Sequence, residues 1–459
     1  MINQDYAISI NPATGEEIER YAYQSRHEVE VVLERARLGA QSLAAWSVTR
    51  RSEVMRRMAA LLRYNVEGLA KMASREMGKP ISQARAEVEK CAMLCTWCAE
   101  HGPAVVADES TQVGPQAYVS YLPIGVVLGV MPWNFPFWQA MRGAAGILFG
   151  GNGYLLKHAP NVMGCAYLLD SLWHSAGLPE GAFSVLNIAT QDVAAVIADR
   201  RVAAVAVTGS VRAGAAIAAQ AGAAIKKTVL ELGGSDAFIV LRDADLERAA
   251  AAAVAARFQN TGQVCIAAKR IILDQPIAQE FTERFVTAVQ ALPVGDPMNE
   301  ATYIGPMARD DLREELSIQV HSTLAQGARL LTGGEKLSGP GNYFAPTVLA
   351  DVRAGMTAFK QETFGPVASL VVAEDAGHAL RLANESEFGL CGALWTRDVE
   401  RAKDMARQWD AGGVFINGYA ASDPRVPIGG VKMSGYGREL SHFGIREFLN
   451  AQIVWLDRP

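Results

Sequence analysis

The chain has 459 residues, half of them hydrophobic, a formal net charge of −5 and six unevenly scattered cysteines. That length predicts two or three domains with a large core. The interspersed charge excludes a basic stripe for nucleic acid and a polybasic membrane segment, and the cysteine spacing excludes a disulfide framework.

"MINQDYAISINPATGEE" has neither a charged n-region nor an apolar h-region, so it does not read as a signal peptide. Every long apolar run is broken by Gly, Pro or a charge before it could cross a bilayer. A cytoplasmic protein is the expectation. Helical periodicity runs from about Ser25 to Arg63, from Val66 to Arg75 and from Ile81 to His101. "QAYVSYLPIGVVLGVMPW" then reads as strands. Short apolar strands follow in alternation with helices: "GNGYLLKH", "FSVLNI", "VAAVAVTGS" and "KKTVLELGG" are the strands. "DAFIVL" opens a second series, with strands near "KRIIL", "VASLVV" and "GALWT". The alternation predicts an α/β fold with two doubly wound parallel sheets, the boundary lying near Glu231–Ser235.

Cys91, Cys95 and Cys98 stand in a C-x3-C-x2-C pattern. That spacing matches an iron–sulfur triplet. The competing reading is stronger: the segment is helical, the three share one face, and buried cysteines pack as small hydrophobes. No metal site is expected.

"FQNTGQVCIAAKR" places Cys265 after a Gly-Gln pair, with no base nearby in sequence. A nucleophilic cysteine needs access and a stabilised thiolate, and taken alone this one reads as inert more readily than as catalytic. Glu231 ends the apolar strand of "VLELGGSDAF", where a carboxylate is costly unless it has a task such as general base catalysis. Gly233 and Gly234 after it allow close backbone approach. Asn134 lies between Trp133 and Phe135 in "VMPWNFPFWQAMR", a rigid setting suited to an oxyanion donor, or simply a turn beside proline. "VAVTGSVRAG" ends a strand at Gly209-Ser210 and opens a helix whose N-terminus can hold phosphate.

In their order along the chain, "PWNFP", "VTGSVRAG", "LELGG", "NTGQVC", "QETFGPV" and "GGVKMSGYGRE" resemble the aldehyde dehydrogenase superfamily. The resemblance spans essentially the whole chain, is strongest to succinate-semialdehyde dehydrogenases, and the interval from Glu231 to Cys265 fits its pattern. It implies a cofactor-binding domain (1–110 and 123–232), a catalytic domain (233–431) and a small β oligomerisation element (111–122 and 447–457). It further implies that Cys265 attacks the aldehyde, that Asn134 holds the oxyanion and that Glu231 activates the hydrolytic water. NAD or NADP would be held by Trp133, Lys157, Gly209, Ser210, Gly233, Glu362 and Phe364. Pro160 stands where many NAD-preferring members carry a ribose-binding glutamate, and His158 is expected to add partial positive charge beside it, so both cofactors are expected. Arg142, walled by Phe137, Trp138 and Met141, is expected to bind a substrate carboxylate. Gln259 replaces an arginine found in one relative, and Ser422 and Arg425 are expected to compensate. Partners are a small aldehyde and further copies of the chain, as homodimer or homotetramer, with no nucleic acid or membrane. A CoA-acylating relative and a structural protein built on this fold are the competing readings.

Overall fold

The computed structural model describes residues 5–457; residues 1–4 of the expected first domain lie outside it. One sheet has six strands in the order Gly435–Tyr436, Lys227–Glu231, Val202–Thr208, Val126–Met131, Gly153–His158, Phe183–Val185. All run parallel except Gly435–Tyr436. The four strands from Val202–Thr208 to Phe183–Val185 are mostly apolar and almost wholly buried, as strands covered on both faces by crossover helices must be. The chain starts in the middle at Val126–Met131, builds outward to Phe183–Val185, and then reverses to add Val202–Thr208 on the other side. A crevice opens at such a switch point, outside the carboxyl ends of the strands. Trp133, Asn134, Gly209 and Ser210 emerge there.

The second sheet has seven strands in the order Arg329–Thr332, Thr347–Ala350, Val367–Ala373, Ala268–Asp274, Asp236–Val240, Cys391–Trp395, Gly413–Ile416. It is parallel except for the edge strand Arg329–Thr332. The two-sheet α/β expectation is met. A third, antiparallel sheet pairs Leu449–Trp455 with Ala117–Pro123 and the latter with Glu109–Ser110. The two segments expected in an oligomerisation element therefore pair first with each other in one chain.

Periodicity alone ran one helix through Ser25–Arg63. The structure breaks it into Arg26–Ala44 and Val48–Tyr64, because the Ser47 hydroxyl accepts the Arg50 amide and caps a new start. Helix Ile81–Val105 buries Cys91, Cys95 and Cys98 almost completely, and burial pushes all three thiols up. They pack as core residues. The same helix carries buried Glu87. Its carboxylate accepts the backbone amides of Phe137 and Trp138 at 2.8 Å each, and it is ion-paired with buried Lys79. Helix Trp138–Phe149 has no cap of its own, so Glu87 supplies the negative charge at its N-terminus and fixes the preceding "PWNFP" loop. No helix among the described residues is long and apolar enough to cross a membrane.

Candidate active site

A cleft of about 570 Å³ lies between the two large sheets. Its walls include Trp133, Asn134, Gly209, Ser210, Glu231 and Gly233 from the first sheet's loops, and Cys265, Glu362 and Phe364 from the second domain. All three expected catalytic residues and six of the seven expected cofactor residues thus meet in one cavity.

Cys265 is presented by an unusual backbone. Asn260, Thr261 and Gly262 have φ of 52°, 57° and 70° in succession. Non-glycine residues adopt that region at a cost of order 1–3 kcal/mol, and only when the surroundings hold them. Here they are held. The Asn260 amide donates to the Asn134 carbonyl at 2.7 Å, and the Thr261 hydroxyl donates to the Gly305 carbonyl at 3.2 Å. The buried Arg257 guanidinium donates to the Gly262 carbonyl at 3.1 Å and to those of Thr363 and Gly365. A Cβ on Gly262 would lie 2.2 Å from the Gly365 oxygen, so only glycine fits. The buried Lys269 ammonium then clamps the turn itself, donating to the carbonyls of Val264 at 2.9 Å and Cys265 at 2.6 Å. Burial pushes the Cys265 thiol up to about 11, partly offset by Arg142 and Lys269, so the resting residue is a thiol that needs a proton acceptor.

Asn134 is buried, and its amide donates one hydrogen to the Gln263 carbonyl at 3.0 Å. The second hydrogen is left for another acceptor. Glu231 is buried at the end of its strand, and its Oε1 has no hydrogen-bond partner among the described residues. Burial raises it to about 8, Arg142 opposes the rise, and buried Glu439 adds to it. Below about pH 8 the carboxyl holds its proton; above, it is a carboxylate able to take one. Turnover limited by this base should rise with pH through about 8, and Glu231→Gln should remove that limb from the pH–rate profile. A profile that keeps its limb in the variant would exclude Glu231 as its source.

Gly209 and Ser210 stand at the start of helix Val211–Ala223. The Ser210 hydroxyl accepts the Ala213 amide, and a Cβ on Gly209 would meet nothing within 4 Å, so the cleft is open there. Trp133 and Phe364 meet edge to face at 5.7 Å. Glu362 accepts the Gly234 amide and pairs with Lys269, both at 3.1 Å. A Cβ on Gly233 would lie 2.2 Å from that carboxylate, so glycine is required for its approach. An anion-binding helix end, an aromatic pair and a carboxylate along one cleft fit a dinucleotide. Lys157 sits at the carboxyl end of the neighbouring strand but does not line the cleft; its ammonium donates to the His158 carbonyl at 3.1 Å. His158 corrects the sequence expectation. It is buried between the carbonyls of Pro136 and Met131, and burial lowers it to about 4, so it is neutral and brings no charge to a 2′-phosphate.

The expected carboxylate-binding set is not assembled as predicted. Arg142 is buried outside the cleft wall, ion-paired with Glu439, 3.1 Å from the Thr208 hydroxyl and 3.8 Å from Glu231. A buried guanidinium takes the nearest carboxylate, and Glu439 supplies it from within the fold. Arg425 is exposed and paired with Asp423 at 2.7 Å, and Gln259 is exposed at the end of helix Leu246–Phe258. Trp138 is buried and Ser422 half-buried, joined through a residue that the sequence reading passed over: the Lys90 ammonium donates to the Ser422 hydroxyl at 2.7 Å and lies 4.3 Å from the centre of the Trp138 ring. Gln139 was also missed. It is buried in the cleft wall, and its side-chain oxygen has no donor among the described residues. Its place five residues after Asn134 was the available signal.

The aldehyde dehydrogenase family model matches residues 3–454, and the chain belongs to that family. It is 59% identical to the Escherichia coli protein named succinate semialdehyde dehydrogenase NAD(P)+ Sad, over 99% of this chain and 98% of that one. It is 44% identical to Mycobacterium tuberculosis succinate-semialdehyde dehydrogenase NADP(+) 1, over 98% of this chain and 99% of that protein. Its fold superposes on Streptococcus pyogenes succinic semialdehyde dehydrogenase in complex with NADP+ with a TM-score of 0.96. That pair is 34% identical, covering 98% of this chain and all of the other.

Proposed function

We propose that the chain oxidises succinic semialdehyde to succinate with NAD(P)+, through a thioester on Cys265. The observation that carries this reading is the meeting of Cys265, Asn134 and Glu231 at one end of a dinucleotide-sized cleft, in a chain so similar along its whole length to the E. coli protein. Cys265 passes its proton to solvent in the open cleft and its sulfur attacks the aldehyde carbon. The free Asn134 amide hydrogen and the Cys265 backbone N–H receive the oxyanion of the thiohemiacetal. When bound in the cleft, oxidised nicotinamide supplies the hydride acceptor that turns the thiohemiacetal into a thioester. Glu231 takes a proton from water, which attacks the thioester and releases the acid and the Cys265 thiol. Retention of Glu231 favours hydrolysis over transfer to CoA.

The helix end at Gly209-Ser210 holds the pyrophosphate, and Glu362 and Lys157 hold the two riboses. Pro160 leaves no acid at the position three residues past Lys157, so neither cofactor is repelled. The chain acts in the cytoplasm as a homodimer or homotetramer. Supporting this, Ile453, Trp455 and Leu456 expose apolar surface along the open edge of the three-stranded sheet, which a second copy would cover. Light scattering should report an oligomer at micromolar concentration; a monomer would reject it.

The test of function is kcat/KM for succinic semialdehyde against butanal, with each cofactor and without CoA. A preference of about tenfold or more for the charged aldehyde is expected. A preference for butanal, or a requirement for CoA, would overturn the assignment.

A further inference from the structure

Lys269 touches both halves of the chemistry. It stands near the start of strand Ala268–Asp274, which lies beside the parallel strand Val367–Ala373. Adjacent parallel strands are entered from the same end of the sheet. The loop entering the first carries Cys265 and the loop entering the second carries Glu362, so topology makes the nucleophile and the ribose-binding carboxylate neighbours in the cleft wall. The Lys269 side chain is fully buried between them. Its ammonium donates to the Val264 carbonyl at 2.9 Å and the Cys265 carbonyl at 2.6 Å, and it lies 3.1 Å from Oε1 of Glu362.

The two loops are also joined without it. Arg257 donates to the Gly262 carbonyl on one and to the Thr363 and Gly365 carbonyls on the other. What Lys269 adds is a contact to the side chain that faces the cleft. Glu362 receives the Lys269 ammonium and the Gly234 amide on the same oxygen, Oε1. Its Oε2 lies on the Gly233 side, where an added Cβ would come within 2.2 Å. One oxygen is thus held by the protein and the other is presented to the cleft. A carboxylate oriented in advance accepts ribose hydroxyls at a lower entropic cost.

We propose that Lys269 is a positioning residue for hydride transfer: one ammonium fixes both the Glu362 carboxylate and the Cys265 carbonyl, and so sets the distance between the bound nicotinamide and the carbon on sulfur. This rests on the dehydrogenase reading, in which Glu362 holds a ribose and Cys265 the substrate. Lys269 touches no reacting atom; it acts through Glu362 and the backbone of Cys265. A misplacement of about 1 Å between reacting groups costs about a hundredfold in rate.

The experiment is a double-mutant cycle of Lys269→Met and Glu362→Gln, read as the rate of nicotinamide reduction in the first turnover. Each single change should lower that rate about 10- to 100-fold, and the double variant should be no slower than the slower single. Succinic semialdehyde deuterated at its aldehyde carbon should be oxidised more slowly than the unlabelled compound by Lys269→Met, because hydride transfer has become the slow step. Binding gives a second readout. The Kd of NAD+ or NADP+, from quenching of protein fluorescence, should rise in each single variant and no further in the double. Hydrolysis of p-nitrophenyl acetate without cofactor is the control. There the Cys265 thiol displaces nitrophenol to leave an acetyl thioester, and water then releases acetate and the thiol. Lys269→Met should slow this hydrolysis far less than it slows nicotinamide reduction. If both reactions fall by the same factor, or the two losses in the cycle multiply, Lys269 only supports the Cys265 turn; the positioning role is then wrong and the dehydrogenase reading stands. If the wild type reduces no nicotinamide with succinic semialdehyde, both fall. Should Lys269→Met not fold, Lys269→Gln decides by the same cycle, since its amide can donate to a carbonyl but brings no charge to Glu362.

Discussion

Cys265→Ala should lower dehydrogenase turnover by at least about a thousandfold while leaving the fold and cofactor binding in place. The thiol shares the wall of the cleft with Asn134 and Glu231. Its backbone is held by Lys269, Asn260 and Arg257 through carbonyls, none of which the substitution removes. Alanine therefore takes away the sulfur without releasing the loop. The measurements are formation of reduced nicotinamide and quenching of protein fluorescence by added NAD+ or NADP+. Substantial turnover by the variant would end the assignment of Cys265.

Arg142→Met should destabilise the protein by about 3–5 kcal/mol, because it leaves Glu439 buried without its counter-charge. The same loss removes the charge that opposes the rise of Glu231, so its carboxyl should climb further above about 8. The pH–rate limb should move to higher pH, and succinic semialdehyde and butanal should suffer alike. A denaturant midpoint and a pH profile check both parts. A loss confined to succinic semialdehyde, with stability intact, would return Arg142 to the substrate and contradict the ion pair.

Much of the fold was legible because strands buried on both faces leave continuous apolar runs, and the helices between them keep their own period. Asn134 and Glu231 were legible for a related reason, a polar residue just past such a run being conspicuous, whereas Cys265 follows no apolar run and was legible only through the ordered motifs of the family. Arg142 was equally conspicuous, yet its destination was not. Its partner Glu439 lies far along the chain, on the segment that adds Gly435–Tyr436 to the first sheet, and no local pattern announces the pair. Lys90 was hidden for the opposite reason. It sits in a well-formed helix where a lysine normally reaches solvent, and only Ser422, from a loop near the other end of the chain, makes it unusual. The exposure of Gln259 follows from the turn at Asn260, whose left-handed backbone is set by tertiary contacts rather than by composition.

The most direct test is mass spectrometry of Glu231→Gln, quenched during turnover with succinic semialdehyde and NAD(P)+. If Cys265 attacks this aldehyde and Glu231 clears the thioester, a succinyl group should accumulate on the peptide that contains Cys265, with steady-state turnover sharply reduced. An adduct on another residue, or undiminished steady-state turnover, would contradict the account.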